Sequence, residues 1–263
     1  MTNADSISAS GGERNVAEPA MSQSSLDPQQ PKHLVKLPDL LRRLRGGLIV
    51  SCQAEANEPL YGSEIMAAMS IAAAEGGAVG IRANTPIDIA AIRHAVTLPI
   101  IGIYKLDIPG YAVRITPTID SALQVAQAGA DIIAIDCTSR PHPDGLSLDE
   151  RVRLIHTQTS CPVMADIASY GEGQAAQAAG ADLVSTTLSG YTDDSPTQAA
   201  PDFELLNRLV SDLKIPVVAE GRIASPEQAA QALHLGAFAV VIGTAITRPR
   251  WITAQFVHKM ANP

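Results

Sequence analysis

The chain has 263 residues, a formal net charge of −8, and a composition that is 46% hydrophobic but only 3% aromatic. That acidic balance, with no basic stripe, argues against a nucleic-acid partner or an anionic membrane surface, although a few amides and one arginine suffice to hold a phosphate. Three cysteines, Cys52, Cys137 and Cys161, without CxxC or Cys/His spacing, argue against a disulfide framework or a zinc site and fit a reducing cytoplasm.

Residues 1–35 are polar, rich in Ser, Gln, Pro, Asn and Gly, and aperiodic, which reads as a disordered leader. Residues 36–263 read as one domain. No apolar run in the chain approaches a membrane span, and no signal-peptide core follows the N-terminus. Leu37, Leu40, Leu41 and Leu44 have helical spacing, and Gly46-Gly47 ends that short helix. Eight strand-length apolar runs follow: "GLIVSC" (47–52), "GAVGIR" (77–82), "PIIGIYK" (99–105), "DIIAID" (131–136), "PVMADI" (162–167), "DLVSTT" (182–187), "PVVAEG" (216–221) and "FAVVIG" (238–243). Between them lie Ala-rich stretches such as "SALQVAQAGA", "EGQAAQAAGA" and "PEQAAQALHLGA". Each of these three reads as helix, glycine stop, then strand. The alternation predicts a parallel (β/α)8 TIM barrel of the phosphate-binding type. An open doubly wound sheet is the alternative, weakened by the lack of GxGxxG after the first strand.

Strand side chains alternate faces, so parity sorts each run. Lys105 shares a face with Ile103 and Ile101, Gln53 with Ser51 and Ile49, and Arg82 with Gly80 and Ala78. Asp136 follows Ala134 and Ile132; Asp166 follows Met164; Thr187 follows Ser185 and Leu183; Glu220 follows Val218. One face is thus apolar or small until a polar residue closes it. A single charge at a strand end is often only the first solvated residue. Repetition over so many strands predicts a ring of polar side chains at the C-terminal end of a barrel, where barrel enzymes place their chemistry. A lysine inside that ring needs a partner or a purpose.

After the seventh run comes "EGRIASPEQA", and after the eighth "IGTAITRPRW". Glycine directly beyond each strand permits close backbone approach, and these two loops are a frequent phosphate grip in this fold. Arg248 can add a bidentate contact. Of the histidines, His142 in "RPHPDG" is the one near a barrel-top loop. No metal constellation is visible.

The segments "GLIVSCQA", "GGAVGIRAN", "PIIGIYKLD", "ITPT", "GADIIAIDCTSRPHPDG", "CPVMADI", "GADLVSTTLSGYT", "PVVAEGRI" and "VVIGTAITRP" together resemble the N-acetylmannosamine-6-phosphate 2-epimerases, from about Leu37 to the C-terminus. The resemblance implies a TIM barrel that interconverts N-acetylmannosamine 6-phosphate and N-acetylglucosamine 6-phosphate without a cofactor. It implies Lys105 and Glu220 as the catalytic pair. Gln53, Arg82 and Asp166 would hold the sugar and its N-acetyl group, and Asp136 joins that substrate-binding set from the polar ring. Gly221, Arg222, Gly243, Thr244 and Arg248 would surround the phosphate. One departure is "LDIPGYAVR" after the lysine, where the family pattern is closer to "RDYPDS"; Asp107 is kept. A homodimer is the candidate assembly.

C2 epimerisation of an N-acetyl hexosamine needs a proton removed beside an aldehyde carbon and returned to the other face. Lowering a lysine from ~10.4 to neutrality takes roughly 4–5 kcal/mol of differential interaction. An ionised Glu220 opposes that shift, while burial and Arg82 favour it. The rival readings are a Schiff-base aldolase using Lys105 and a barrel that senses a sugar phosphate without turning it over.

Overall fold

The structure is a computed structural model and describes residues 37–193, 195 and 197–262. The polar leader at 1–35 lies outside the described residues. The strands are β1 (Leu48–Cys52), β2 (Gly80–Asn84), β3 (Ile100–Ile103), β4 (Ile132–Asp136), β5 (Val163–Asp166), β6 (Leu183–Ser185), β7 (Val217–Glu220) and β8 (Ala239–Ile242). Ahead of them is α1 (Leu37–Leu44). Between them run α2 (Ser63–Glu75), α3 (Pro86–Ala95), α4 (Ile119–Gln127), α5 (Leu148–Thr159), α6 (Tyr170–Ala178), α7 (Phe203–Asp212) and α8 (Pro226–His234). Two helices follow β8: α9 (Thr244–Thr247) and α10 (Pro249–Ala261). Every strand pairs in parallel with its neighbour, and β1 pairs with β8, so the sheet closes into the expected barrel. Among the described residues no helix is long and apolar enough to cross a membrane.

Parity divides the core as the sequence implies. Ile49, Ile101, Ile103, Ile132, Ala134, Met164, Leu183, Val218, Ala239 and Val241 form one buried cluster, the barrel interior. Val50, Cys52, Ile81, Ala83, Ile133, Ile135, Val184 and Val240 belong to a second, between sheet and helices. Leu40 and Leu44 of α1 join the interior cluster with Phe238. Gly46 N–H donates to Phe238 O at 2.7 Å, and a Cβ on Gly80 would meet Leu44 Cδ2 at 2.7 Å. Both contacts lie at strand starts, so α1 stoppers the N-terminal end of the barrel.

The three glycine stops behave as read: Gly129, Gly180 and Gly236 adopt φ of +104°, +90° and +94°, the left-handed turn a helix needs before the next strand. The opposite ends of the helices are capped where strands hand over to them. Ser169 and Glu172 form a capping box on α6, as Thr118 and Ser121 do on α4. Close helix packing explains one glycine inside a strand. A Cβ on Gly102 of β3 would sit 2.5 Å from Val125 Cγ1 and 2.7 Å from Ala130 Cβ. Gly102→Ala is therefore expected to destabilise the barrel by about 1–3 kcal/mol through overpacking. A urea midpoint equal to the parent's would contradict that.

Strand ends differ from the sequence runs in ways that matter for the site. Arg82 is the middle residue of β2, not its end, because pairing with β3 continues to Asn84. Gln53, Lys105, Thr187 and Gly243 lie just past their strands. Lys105 makes an isolated antiparallel bridge with Ile115, so the chain after β3 turns back over the barrel mouth.

Candidate active site

A cavity of about 710 Å3 opens at the C-terminal end of the strands. Its wall includes Gln53, Arg82, Lys105, Asp136 and Glu220, five members of the ring expected from parity. Register sets Arg82 beside Ser51 and Ile101, Asp136 beside Asp166, and Glu220 beside Val241, while Gln53 and Lys105 lie beyond the paired strand residues.

Arg82 is the hub. It is 1% exposed. Its Nη1 and Nη2 donate to Asp166 Oδ1 and Oδ2 at 3.1 and 2.5 Å, a bidentate pair. Nη1 also donates to Glu220 Oε2 at 3.0 Å. Burial opposes its charge, but Asp166 and Glu220 outweigh burial and hold its pKa above the ordinary value. Its Nε has no hydrogen-bond partner among the described residues. Asp166 is the departure from expectation. It does not line the cavity, and its oxygens are taken by Arg82 and by Thr187, whose Oγ1 lies 2.6 Å from Oδ1. It sits behind Arg82 and holds it, because a fully buried guanidinium requires a carboxylate.

Glu220 ends β7, clamped by the Thr186 hydroxyl, which donates to its carbonyl at 2.8 Å and accepts from its N–H at 3.0 Å. Burial raises its carboxyl pKa above the usual range, with Arg82 opposing and Asp166 adding to the rise. Lys105 shifts the other way. Burial lowers its pKa first, Arg82 second, while Glu55 and Glu220 pull it up. Its backbone N–H donates to Asn84 Oδ1 at 2.9 Å. The neighbouring turn is pinned by Thr116, a non-glycine residue at φ +46°, whose hydroxyl donates to Ala134 O at 2.7 Å. The amine and the carboxyl thus sit in one cavity with affinities for the proton drawn toward each other, the condition for exchanging it.

Gln53 Nε2 donates to Ser51 Oγ at 2.9 Å. Asp136 is buried at the cavity wall; its Oδ2 accepts from Arg140 Nη2 at 2.6 Å and its Oδ1 from the Thr138 hydroxyl at 2.6 Å. Gly221, Arg222, Gly243, Thr244 and Arg248 all line the cavity at the β7 and β8 loops. Gly221 and Arg222 turn there with φ of +109° and +55°. Arg248 Nη2 donates to Glu58 Oε2 at 3.2 Å. The Arg222 guanidinium turns elsewhere: Nε and Nη1 donate to the carbonyls of Ala200 and Ser189.

Parity missed several residues that line the cavity. Arg114 arrives on the return arm of the turn after Lys105, paired with Asp107 at 2.5 Å and with Glu55 at 3.6 Å. Arg140 arrives from the β4–α5 loop, Tyr191 from the loop after β6, and Trp251 from the first turn of α10. The spacing of Arg140, four residues past Asp136, was a usable signal; the others depend on loop paths. His142 is buried away from the cavity with Nδ1 3.2 Å from Pro117 O, and burial lowers its pKa. Burial pushes the Cys52 thiol up to about 12, which suits a core residue and not a nucleophile. Among the described residues no group of three or more His, Cys, Asp or Glu could hold a metal ion.

Known proteins share this arrangement of chain and barrel. The family model described as "Putative N-acetylmannosamine-6-phosphate epimerase" matches residues 66–262. A protein of Caldanaerobacter subterraneus subsp. tengcongensis, described as "Putative N-acetylmannosamine-6-phosphate 2-epimerase", is 51% identical over 220 residues, 83% of this chain and 93% of its own. One from Thermosynechococcus vestitus with the same description is 52% identical over 209 residues, covering 80% and 91%. The solved N-acetylmannosamine-6-phosphate 2-epimerase of Clostridium perfringens superposes with a TM-score of 0.81 at 45% identity, over 83% of this chain and 95% of that one. A thiamine phosphate pyrophosphorylase from Pyrococcus furiosus, at 18% identity and TM-score 0.52, shares the fold alone. Identity at this level over most of both lengths, on a closed eight-stranded barrel, means that the chain belongs to the N-acetylmannosamine-6-phosphate 2-epimerase family.

Proposed function

We propose that the chain interconverts N-acetylmannosamine 6-phosphate and N-acetylglucosamine 6-phosphate by removing and returning the proton on C2. The observation that carries the mechanism is the pair in one cavity: Lys105 with its pKa lowered and Glu220 with its pKa raised. Opening of the pyranose exposes the C1 aldehyde, which acidifies the C2 proton. Lys105 and Glu220 act jointly as base and acid, one on each face of C2, so that the proton leaves one face and another arrives on the opposite face. The negative charge that develops on O1 needs a donor. Arg82 offers one, since its guanidinium forms part of the cavity wall.

Gln53 and Asp136 supply amide and carboxylate contacts for the hydroxyls and the N-acetyl group. Asp166 serves the substrate through Arg82. The phosphate lies against the backbone of Gly221, Arg222, Gly243 and Thr244, with Arg248 as its cation. Glycine at two of these positions keeps side chains out of the way, and Ser51 already lies 3.2 Å from where a Gly243 Cβ would be. Because the phosphate sits far from C2, gripping it orients the sugar for the proton transfers.

The test is incubation with N-acetylmannosamine 6-phosphate in deuterated water. Both product and recovered substrate are expected to gain deuterium at C2. Neither product nor C2 deuterium after long incubation would defeat the reading, as would a borohydride-trapped adduct on Lys105.

A further inference from the structure

The described residues of the β6–α7 loop, within 186–202, bring Leu188, Tyr191 and Ala199 to the cavity wall beside Gly221. A connection this long in a compact domain commonly covers a site. It is partly organised from within. Gly190 N–H donates to Ser195 Oγ at 2.8 Å, and Ser189 Oγ donates to Asp202 Oδ2 at 2.7 Å. Asp202 in turn caps α7, accepting from Leu205 N–H at 3.0 Å.

Its tie to the neighbouring β7–α8 loop is the side chain of Arg222. Nε donates to Ala200 O at 2.8 Å and Nη1 to Ser189 O at 2.6 Å, one on each shoulder of the loop. Between them the guanidinium lies 5.1 Å from the centre of the Tyr191 ring. Gly190 makes room: a Cβ there would come within 2.7 Å of Arg222 Nη1. Arg222 itself takes φ +55°, which non-glycine residues seldom adopt, and that backbone launches the side chain toward the loop. The other arginine of this end is held differently. Arg248 has a carboxylate partner, Glu58 Oε2 at 3.2 Å, and its side chain is 40% exposed. A phosphate can replace a carboxylate there with the same geometry. A phosphate that took Nε or Nη1 of Arg222 would have to displace a hydrogen bond to a loop carbonyl and loosen the loop.

We propose that Arg222 is a positioning residue: its guanidinium straps the β6–α7 loop over the phosphate end of the cavity, and Arg248 alone supplies the cationic side chain for the phosphate. This rests on the phosphate end assigned above. The strap keeps Leu188, Tyr191 and Ala199 as a fixed wall and limits water at the reacting sugar.

The experiment compares Arg222→Ala, Arg222→Lys and Arg248→Ala in the full-length chain. Lysine keeps the charge and binds phosphate as a point charge, but it cannot span two separated carbonyls or stack as a plane. Three readouts are taken: chymotrypsin cleavage at Tyr191, binding of inorganic phosphate followed by the fluorescence of Trp251, and kcat and KM. Trp251 is the one tryptophan of the chain and lies on the cavity wall. Both Arg222 variants are expected to be cleaved about tenfold faster or more, since loop opening follows local stability. Their phosphate affinity should fall less than about threefold, against about tenfold or more for Arg248→Ala, a difference of one charge-assisted contact. Turnover should fall alike in both. The proposal is overturned if Arg222→Lys matches the parent while Arg222→Ala loses phosphate binding, or if neither variant is cleaved faster. Cleavage and phosphate binding need no turnover, so they judge the strap even if the epimerase assignment fails.

Discussion

Lys105→Met is expected to lower kcat by about 10²–10⁴-fold, the usual contribution of one placed acid or base. Methionine keeps most of the aliphatic length and removes the amine. Glu220→Gln should fall by a similar factor while keeping shape and the contacts to Thr186, which use the backbone. Binding of unreactive sugar-phosphate analogues should survive both changes. The double variant should cost little more than the worse single one, because the two groups act on one proton inventory and their effects do not add. The pH profile of the parent should be a bell. Its rising limb belongs above 4.5, the ordinary glutamate value, because burial raises Glu220. Its falling limb belongs below 10.5, because burial and Arg82 lower Lys105. Since the charge on Glu220 pulls the lysine upward, Glu220→Gln should move the limb of any residual activity further down. Near-normal turnover in Lys105→Met would end this mechanism.

Arg82→Leu should have the largest effect on stability, about 3–5 kcal/mol, because it strands two carboxylates in the barrel. Asp166 has no exposure, and Glu220 is only slightly exposed. Adding Asp166→Asn should recover part of the loss by removing one orphaned charge, yet leave activity absent. Urea unfolding of the parent, the single and the double variants measures both terms. Equal midpoints for Arg82→Leu and the parent would show that water reaches Asp166 and that the hub is not dry.

The two-residue period made the barrel legible. Alternation in short runs such as Ile101, Ile103 and Lys105 depends only on strand geometry, so it placed Gln53, Lys105, Asp136 and Glu220 on one wall without any tertiary information. The same rule could not separate a wall residue from one behind it. Asp166 obeys parity as well as Asp136 does, but the choice between substrate and Arg82 depends on side-chain length across β2, β5 and β7. The family resemblance puts Arg222 at the phosphate, whereas its guanidinium bonds the carbonyls of Ala200 and Ser189 in another loop. Arg114 and Tyr191 come from connections whose paths follow no period, and Trp251 from a helix beyond the last strand. Local patterns fix strands; sites made from loops depend on how those strands close.

That closure has a consequence for synthesis. β1 takes one of its two partners from β8, and the stopper formed by Leu40 and Leu44 rests on Phe238. Roughly 190 residues separate these partners, so at about 5–20 residues per second the ribosome needs roughly 10–40 s to deliver the second after the first. Throughout that interval β1 has an unpaired edge and α1 an uncovered apolar face, both open to wrong partners. The nascent chain is therefore most prone to aggregate just before its last strand emerges, and a ribosome stalled after α8 would hold a protein with nearly all its sequence and no closed barrel.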